Sequence, residues 1–181
     1  MSRVRDLTVL KFGGELLETD ERRGAMARAV QRMAETGALV VVHGGGREVD
    51  ADMAVHGIEK RAVDGLRITD VDTLEIVVGV LAGRVNTRLV AALGAVGVPA
   101  VGLTAADADV AAVRVAPPYR AADGTLADLG YVGQPEGDGS ALLETLCAGG
   151  FVPAVASIGA DDSGQLLNVN ADTLAGHLAA S

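Results

Sequence analysis

A chain of 181 residues is long enough for one domain with a sizeable core and leaves little for a second. Its formal charge of −9, with no run of Lys or Arg, excludes a nucleic-acid surface built on phosphate contacts. Apolar residues make up 49% of the chain, weighted to Ala and Val, and the 24 glycines point to strands and helices joined by tight turns rather than to disorder.

Leu7 to Phe12, LTVLKF, reads as a first strand ending in Gly13 and Gly14; the apolar run before Lys11 is too short for a secretory leader. Lys11 falls at the strand's carboxyl end, the edge of a parallel α/β sheet where ligands bind. It is read either as a lysine snorkelling at the sheet edge or as an ammonium reaching a phosphate; a second glycine turn on the same rim favours the phosphate. Asp20 to Glu35 carries Met26, Val30, Met33 and Ala34 at helical spacing, closed by Gly37. Leu39 to Val42 is a β-branched run suited to a strand buried on both faces, and it ends in His43, Gly44, Gly45 and Gly46. A helix over Arg47 to Val55 follows, with Val49, Met53 and Ala54 on its inner face. Three glycines between a strand's carboxyl end and a helix's amino end let backbone N–H groups approach an anion, and the helix dipole adds partial positive charge there. A turn needing glycine only for its dihedrals is the plain alternative; three in a row favour a ligand.

Ile58 to Val63 reads as a strand leading into the turn Asp64-Gly65-Leu66-Arg67. Arg67 is a candidate for holding a carboxylate, since its guanidinium fork matches two oxygens at once; read alone, it is a surface arginine. Thr69 with Asp72 has capping-box character, opening a long helix, Thr69 to Leu93, with Leu74, Val78, Leu81, Val85, Leu89 and Ala92 on one stripe. The additional Ile76, Val77 and Val80 predict a subunit interface, hence a homodimer; a fully covered helix is the alternative. The uncharged stretch Leu89 to Ala106 is broken by Gly94, Gly97, Pro99 and Gly102, so it is read as a helix end and a strand over Val98 to Leu103, not as a membrane span. Asp107 and Asp109 read as a polar loop in preference to metal ligands, and no metal site is assigned.

From Val110 to Val132 the pattern becomes short alternation, VAAVRV, then Asp123-Gly124 and Gly130-Tyr131-Val132, which predicts a small β-hairpin flap. Gly139 to Ala148 is a short helix holding the lone Cys147, read as a buried thiol, which excludes a disulfide framework and fits a cytoplasmic location. Phe151 to Ser157 is another buried strand, joined by a right-handed βαβ connection. In QLLNVNAD, Gln165 to Asp172, the N-cap falls at Asn170 or Ala171, so Asp172 sits in the first turn of a terminal helix with Leu174 and Leu178. Capping explains Asp172 by itself; with Lys11 on the same rim, it also orients that lysine.

VLKFGGELL, VVHGGGREVD, DGLRITD and LLNVNAD, in this order and at these separations, resemble the amino acid kinase family, and within it the kinases of N-acetyl-L-glutamate. The resemblance implies a three-layer αβα sandwich with a mainly parallel central sheet. It further implies transfer of the ATP γ-phosphoryl group to the side-chain carboxylate of N-acetyl-L-glutamate, with Mg2+ accompanying ATP. By matching position, Lys11 stabilises the phosphoryl in flight and Gly13, Gly14, Gly45 and Gly46 surround phosphate and substrate. Arg67 grips the substrate α-carboxylate, Asn168 binds the acetylated amino acid, and Asp172 orders the lysine. These are the roles phosphoryl transfer needs, since it is mainly alignment plus charge stabilisation. Family members continue beyond the NVNAD helix into a lobe with most ATP contacts. The expectation is therefore one amino-acid-binding lobe over residues 1–181, with the nucleotide lobe absent and little activity alone. Lys11 lies too near Met1 for the N-terminal extension that accompanies arginine inhibition in some members, which favours an unregulated dimer.

A P-loop kinase is excluded because no GxxxxGK[ST] occurs. A dinucleotide oxidoreductase fits less well, since Val49 stands where that fingerprint needs Gly or Ala. A kinase for carrier-linked aminoadipate or glutamate, and a non-catalytic amino-acid-binding module, stay open.

Overall fold

A computed structural model describes residues 7–16, 19–138 and 141–181. Residues 1–6, on which the reading of the leader falls, and the first two residues of the segment from Gly139 to Ala148 lie outside the described residues.

Strand β1 is Thr8–Phe12, followed by a single 3-10 turn over Gly14–Leu16. Helix α1, Asp20–Ala34, is opened by Thr19, whose hydroxyl accepts from Arg22 N; Met26, Ala27 and Val30 are buried, while Met33 is exposed. Strand β2, Leu39–His43, is buried throughout, as its run of valines requires. Helix α2, Gly46–Val55, starts from Gly45 with no side-chain cap and buries Val49 and Met53; Ala54 is exposed, so the inner stripe is narrower than the sequence suggested. Strands β3, Ala62–Val63, and β4, Leu66–Arg67, form a two-residue hairpin over Asp64 and Gly65. Their φ of +49° and +83° is the tight turn whose twist suits a hairpin and that Asp-Gly favours.

Helix α3, Val71–Val78, is capped by Asp70, which accepts from Thr73 N at 3.0 Å. Thr69, the expected cap, is buried and faces another partner described below. A π-helical segment, Gly79–Val85, joins α3 to helix α4, Asn86–Ala95. The run Val71–Ala95 is long and apolar enough to cross a membrane by length and composition. Here its inner stripe packs against the sheet. Ile76, Val77 and Val80, expected at a subunit interface, lie within that core and offer no surface to a second copy.

Strand β5 is Ala100–Thr104; Asp107 accepts from Thr104 N and Oγ1, so it closes a polar loop. Strands β6, Ala112–Val115, β7, Tyr119–Arg120, β8, Leu126–Ala127, and β9, Val132–Glu136, come next. Helix α5, Ala141–Ala148, leads to strands β10, Val152–Ala156, β11, Ile158–Ala160, and β12, Leu166–Val169. Helix α6, Ala171–Ala180, is capped by Asn170, which accepts from Asp172 N and Thr173 N.

The central sheet is parallel, in the order β1-β2-β10-β5. Alternate residues of β2 point to opposite faces: Leu39 and Val41 join a core cluster under α1 to α4, Val40 and Val42 one under α5 and α6. Helices on both faces of this sheet make the three-layer αβα arrangement. A second sheet, β11-β12-β9-β6, continues from the carboxyl end of β10. This narrows the predicted hairpin flap. The run from Val110 pairs with β9 inside that sheet, and buried Val113 packs on the bare backbones of Gly133 and Gly159. Within that stretch the separate hairpin is β7 paired with β8.

A candidate anion site at the carboxyl ends of the strands

Parallel strands bring their carboxyl ends to one rim, and the turns leaving them determine what that rim binds. Lys11 pairs with Val42 and Phe12 with His43, so Lys11 and the glycines after His43 arrive side by side. A cavity of about 240 Å3 opens there. Lys11, Gly13, Gly14, Gly45 and Gly46 line it from one side; Arg67, Asn168 and Asp172 line it from elements distant in sequence. The structure thus brings every site residue named from sequence to one cavity.

Lys11 Nζ lies 3.0 Å from the Asp172 carboxylate, an ion pair across 161 positions. Both partners stay accessible, with side-chain exposures of 31% and 73%, so the pair orients the ammonium rather than stabilising the fold. Asp172 is set by the α6 cap, in the first turn where the helix dipole favours an acid.

The two glycine turns touch. A Cβ on Gly14 would lie 3.2 Å from Gly45 Cα, and a Cβ on Gly45 would lie 2.8 Å from Leu81 Cδ2 and 3.3 Å from Val85 Cγ2. Glycine at 45 is therefore required by close approach to the π-helical segment behind it. Gly46 has open space around it, so bulk there would meet a ligand instead. With no side-chain cap on α2, its first N–H groups are available to an anion.

Arg67 is 12% exposed and already engaged. Its Nη2 donates to Asp50 Oδ1 in a short ion pair and to Gly46 O at 3.3 Å, and its Nη1 donates to Met53 Sδ. Either edge of a guanidinium that grips two oxygens includes Nη2, so a ligand carboxylate bound in that way displaces one of these acceptors. Lys60 Nζ sits 2.8 Å from the same aspartate. Partial burial pushes the Asp50 carboxyl up, but hydrogen bonds and charge from Lys60 and Arg67 outweigh it and hold its pKa below the ordinary carboxylate value. Asn168 donates its amide nitrogen to Thr69 Oγ1 at 3.1 Å, which explains why Thr69 is buried instead of capping α3.

Beneath the second glycine turn, His43 and Asn86 are buried, at 0% and 5% exposure, and hydrogen-bonded to each other. Burial pushes the His43 pKa down, partly opposed by its bond to the Gly44 carbonyl, so the ring is neutral at pH 7. Asp50 and Asn86 were missed from sequence, Thr69 was read only as a helix cap, and His43 was seen only as the lead-in to the glycines. A buried polar residue at the end of a strand or in an apolar helix was the available signal. Among the described residues no group of three or more His, Cys, Asp or Glu could hold a metal ion.

An ammonium, uncapped helix amides and a guanidinium line one small cavity on a parallel αβα scaffold, an arrangement suited to a small molecule bearing anionic groups. The chain matches the Amino acid kinase family over residues 6–181 and belongs to that family. It is 43% identical over 173 residues to the acetylglutamate kinase of Methanopyrus kandleri, which covers 96% of this chain and 66% of that protein. The crystal structure of smu.665 from Streptococcus mutans superposes with a TM-score of 0.78 at 28% identity, covering 96% of this chain and 67% of that one. N-acetylglutamate synthase from Neisseria gonorrhoeae, complexed with coenzyme A and N-acetyl-glutamate, gives 0.75 at 26% identity, over 95% and 39%. The chain spans between about half and two thirds of the length of the curated relatives it matches.

Proposed function

We propose that the protein carrying this chain transfers the γ-phosphoryl group of ATP to the side-chain carboxylate of N-acetyl-L-glutamate, and that this chain supplies the acceptor site and the charge beside the reacting group. The observation that carries this reading is the Lys11–Asp172 pair standing between two glycine turns on the cavity that Arg67 also lines. A carboxylate attacking a phosphoryl group brings negative charges together. The site offsets them with the Lys11 ammonium and with the amides at the start of α2, donors already in place before reaction. Asp172 holds the ammonium. Arg67 takes the α-carboxylate in exchange for part of its bonding to Asp50 and Gly46 O. Asn168, with its nitrogen held by Thr69, has its carbonyl oxygen left for the acetamido N–H. Magnesium travels with ATP and supplies further charge neutralisation on the phosphates.

Calorimetry with N-acetyl-L-glutamate and separately with ATP, alongside a coupled turnover assay that also includes glutamate and aminoadipate derivatives, tests the reading. Binding of N-acetyl-L-glutamate that weakens sharply in Arg67→Ala is expected; no binding, or a preference for a carrier-linked amino acid, overturns the substrate assignment. A second reading, an amino-acid-binding module without transfer, draws on the likeness to the Neisseria synthase. It predicts N-acetyl-L-glutamate binding that Lys11→Ala leaves unchanged and no response to ATP. We extend the proposal to a homodimer along the outer side of Val71–Ala95, where Val71 is 56% exposed. A purely monomeric sedimentation profile removes that part.

A further inference from the structure

We propose that Asn86 and His43 form a positioning relay for the second glycine turn, fixing the Gly44–Gly45 peptide so that the Gly45 N–H is presented to a bound anion. The inference rests on the anion reading of the cavity and names what holds its backbone donor in place.

The direction of each hydrogen bond follows from its partners. Asn86 Nδ2 lies 2.8 Å from the carbonyl oxygen of Ala154, which can only accept, so the amide orientation is settled. The same nitrogen lies 2.9 Å from His43 Nε2. An amide nitrogen donates, so Nε2 accepts and the ring proton resides on Nδ1. Nδ1 then donates to Gly44 O at 3.0 Å. In a trans peptide the C=O and the following N–H point in opposite directions. Holding the Gly44 oxygen against the imidazole therefore turns the Gly45 N–H away from it, and Gly45 lines the cavity while His43 does not. A carbonyl that accepts a hydrogen bond also makes its own peptide N–H a stronger donor, so the chain of bonds polarises towards the ligand.

The surroundings are built for this contact. Asn86 is the first residue after the π-helical segment, and Leu81 and Val85 of that segment press on Gly45 from behind. Insertions of this kind are frequent at functional sites because they shift the register of everything beyond them. Any side chain at position 102 would run into Asn86 Oδ1, so Gly102 on β5 leaves the space the amide occupies. With no solvent access, His43 neither takes nor gives a proton during transfer. It is a positioning residue.

The test uses nuclear magnetic resonance on the whole chain with inorganic phosphate as the probe. In the unligated protein, long-range proton–nitrogen spectra should show His43 protonated on Nδ1. Phosphate should move the Gly45 amide resonance. His43→Leu fills most of the ring volume but has no donor, and should lose about tenfold or more in phosphate affinity, the factor one hydrogen bond to a charged group is worth. His43→Asn places an amide donor near the Nδ1 position and should keep most of the affinity, although it fills the space less well. A merely structural role predicts the reverse, with affinity following the stability each variant shows in urea. The relay is overturned by an Nε2–H ring in the wild type, or by equal phosphate affinity in His43→Leu and wild type. Should phosphate leave the wild-type Gly45 amide unmoved, the anion reading itself fails and the relay with it, an outcome distinct from the previous two.

Discussion

The two ends of the central sheet each hold a cavity, and the larger is not the one with convergent chemistry. At the amino ends of the strands a space of about 550 Å3 is lined by residues that include Gln31, Cys147 and Phe151. Among the described residues lining it, Glu35 alone carries charge. Three helices finish beside it, α1 at Ala34, α4 at Ala95 and α5 at Ala148, so their carbonyl ends surround it. At the carboxyl ends, the helices that begin beside the cavity are α2 from Gly45 and α6 from Asn170. Alternating strands and helices sort helix polarity to opposite ends of the sheet, and an anion is favoured at only one of them. Volume does not reveal this; helix direction does.

The widest gap between the two ends should appear in Lys11→Ala. In the protein carrying this chain it should lower turnover of ATP with N-acetyl-L-glutamate by about 10²–10³, the scale of losing one donor to developing charge. Its unfolding free energy should stay within about 1 kcal/mol of wild type, since the ion pair is accessible to water. Turnover unaffected by Lys11→Ala would erase the distinction between the ends. Next, Gly45→Ala should cost about 1–3 kcal/mol in urea unfolding, because the new methyl meets Leu81 and Val85. Gly46→Ala, with open space and a helical position, should stay within about 0.5 kcal/mol while weakening phosphate binding. Equal destabilisation by the two would show that the turn is not seated on the π-helical segment as described.

A pH series sharpens the comparison further. His43 has a folded pKa below 6.5, so the unfolded chain binds its proton first as pH falls. Stability should decline as pH drops from 6.5 towards the lowered value, and this decline should be absent in His43→Asn. Asp50 acts in a lower window: its carboxyl titrates below 3.8 in the folded state, so its contribution is present above 3.8 and lost as pH falls through the lowered value. The smallest effect belongs to the amino end. The thiol of Cys147 is pushed up chiefly by burial, only partly opposed by its contact with Leu39 O. Cys147→Ser should leave phosphate binding unchanged and shift stability by no more than about 1 kcal/mol.

Much of this rim was readable along the chain because its residues sit at element boundaries, where local rules act. Lys11 ends a strand, Asp172 opens a helix, and the glycines interrupt valine runs. Partners chosen in three dimensions left no such trace. Asp50 looks like any polar residue on a helix until Arg67 folds over it, and Thr69 fits a capping rule until Asn168 claims its hydroxyl. The alternation in VAAVRV correctly signals a strand, but pairing with β9 rather than a nearby hairpin partner depends on the small glycines facing Val113. The π-helical segment is hidden for the same reason: a stripe of apolar residues reads as continuous α-helix whether or not the backbone widens within it.

Strand order gives assembly a timetable. The position between β2 and β5 belongs to β10, so the earlier strands of the sheet cannot form their full set of neighbours until residues 152–156 have left the ribosome. Asp172 follows later still. The pocket is thus completed only once residue 172 has been made, its closure depending on contacts very far apart in the chain, which fold slowly. A small molecule that engages both Lys11 and Asp172 would report on, and hold in place, only those copies that have finished folding.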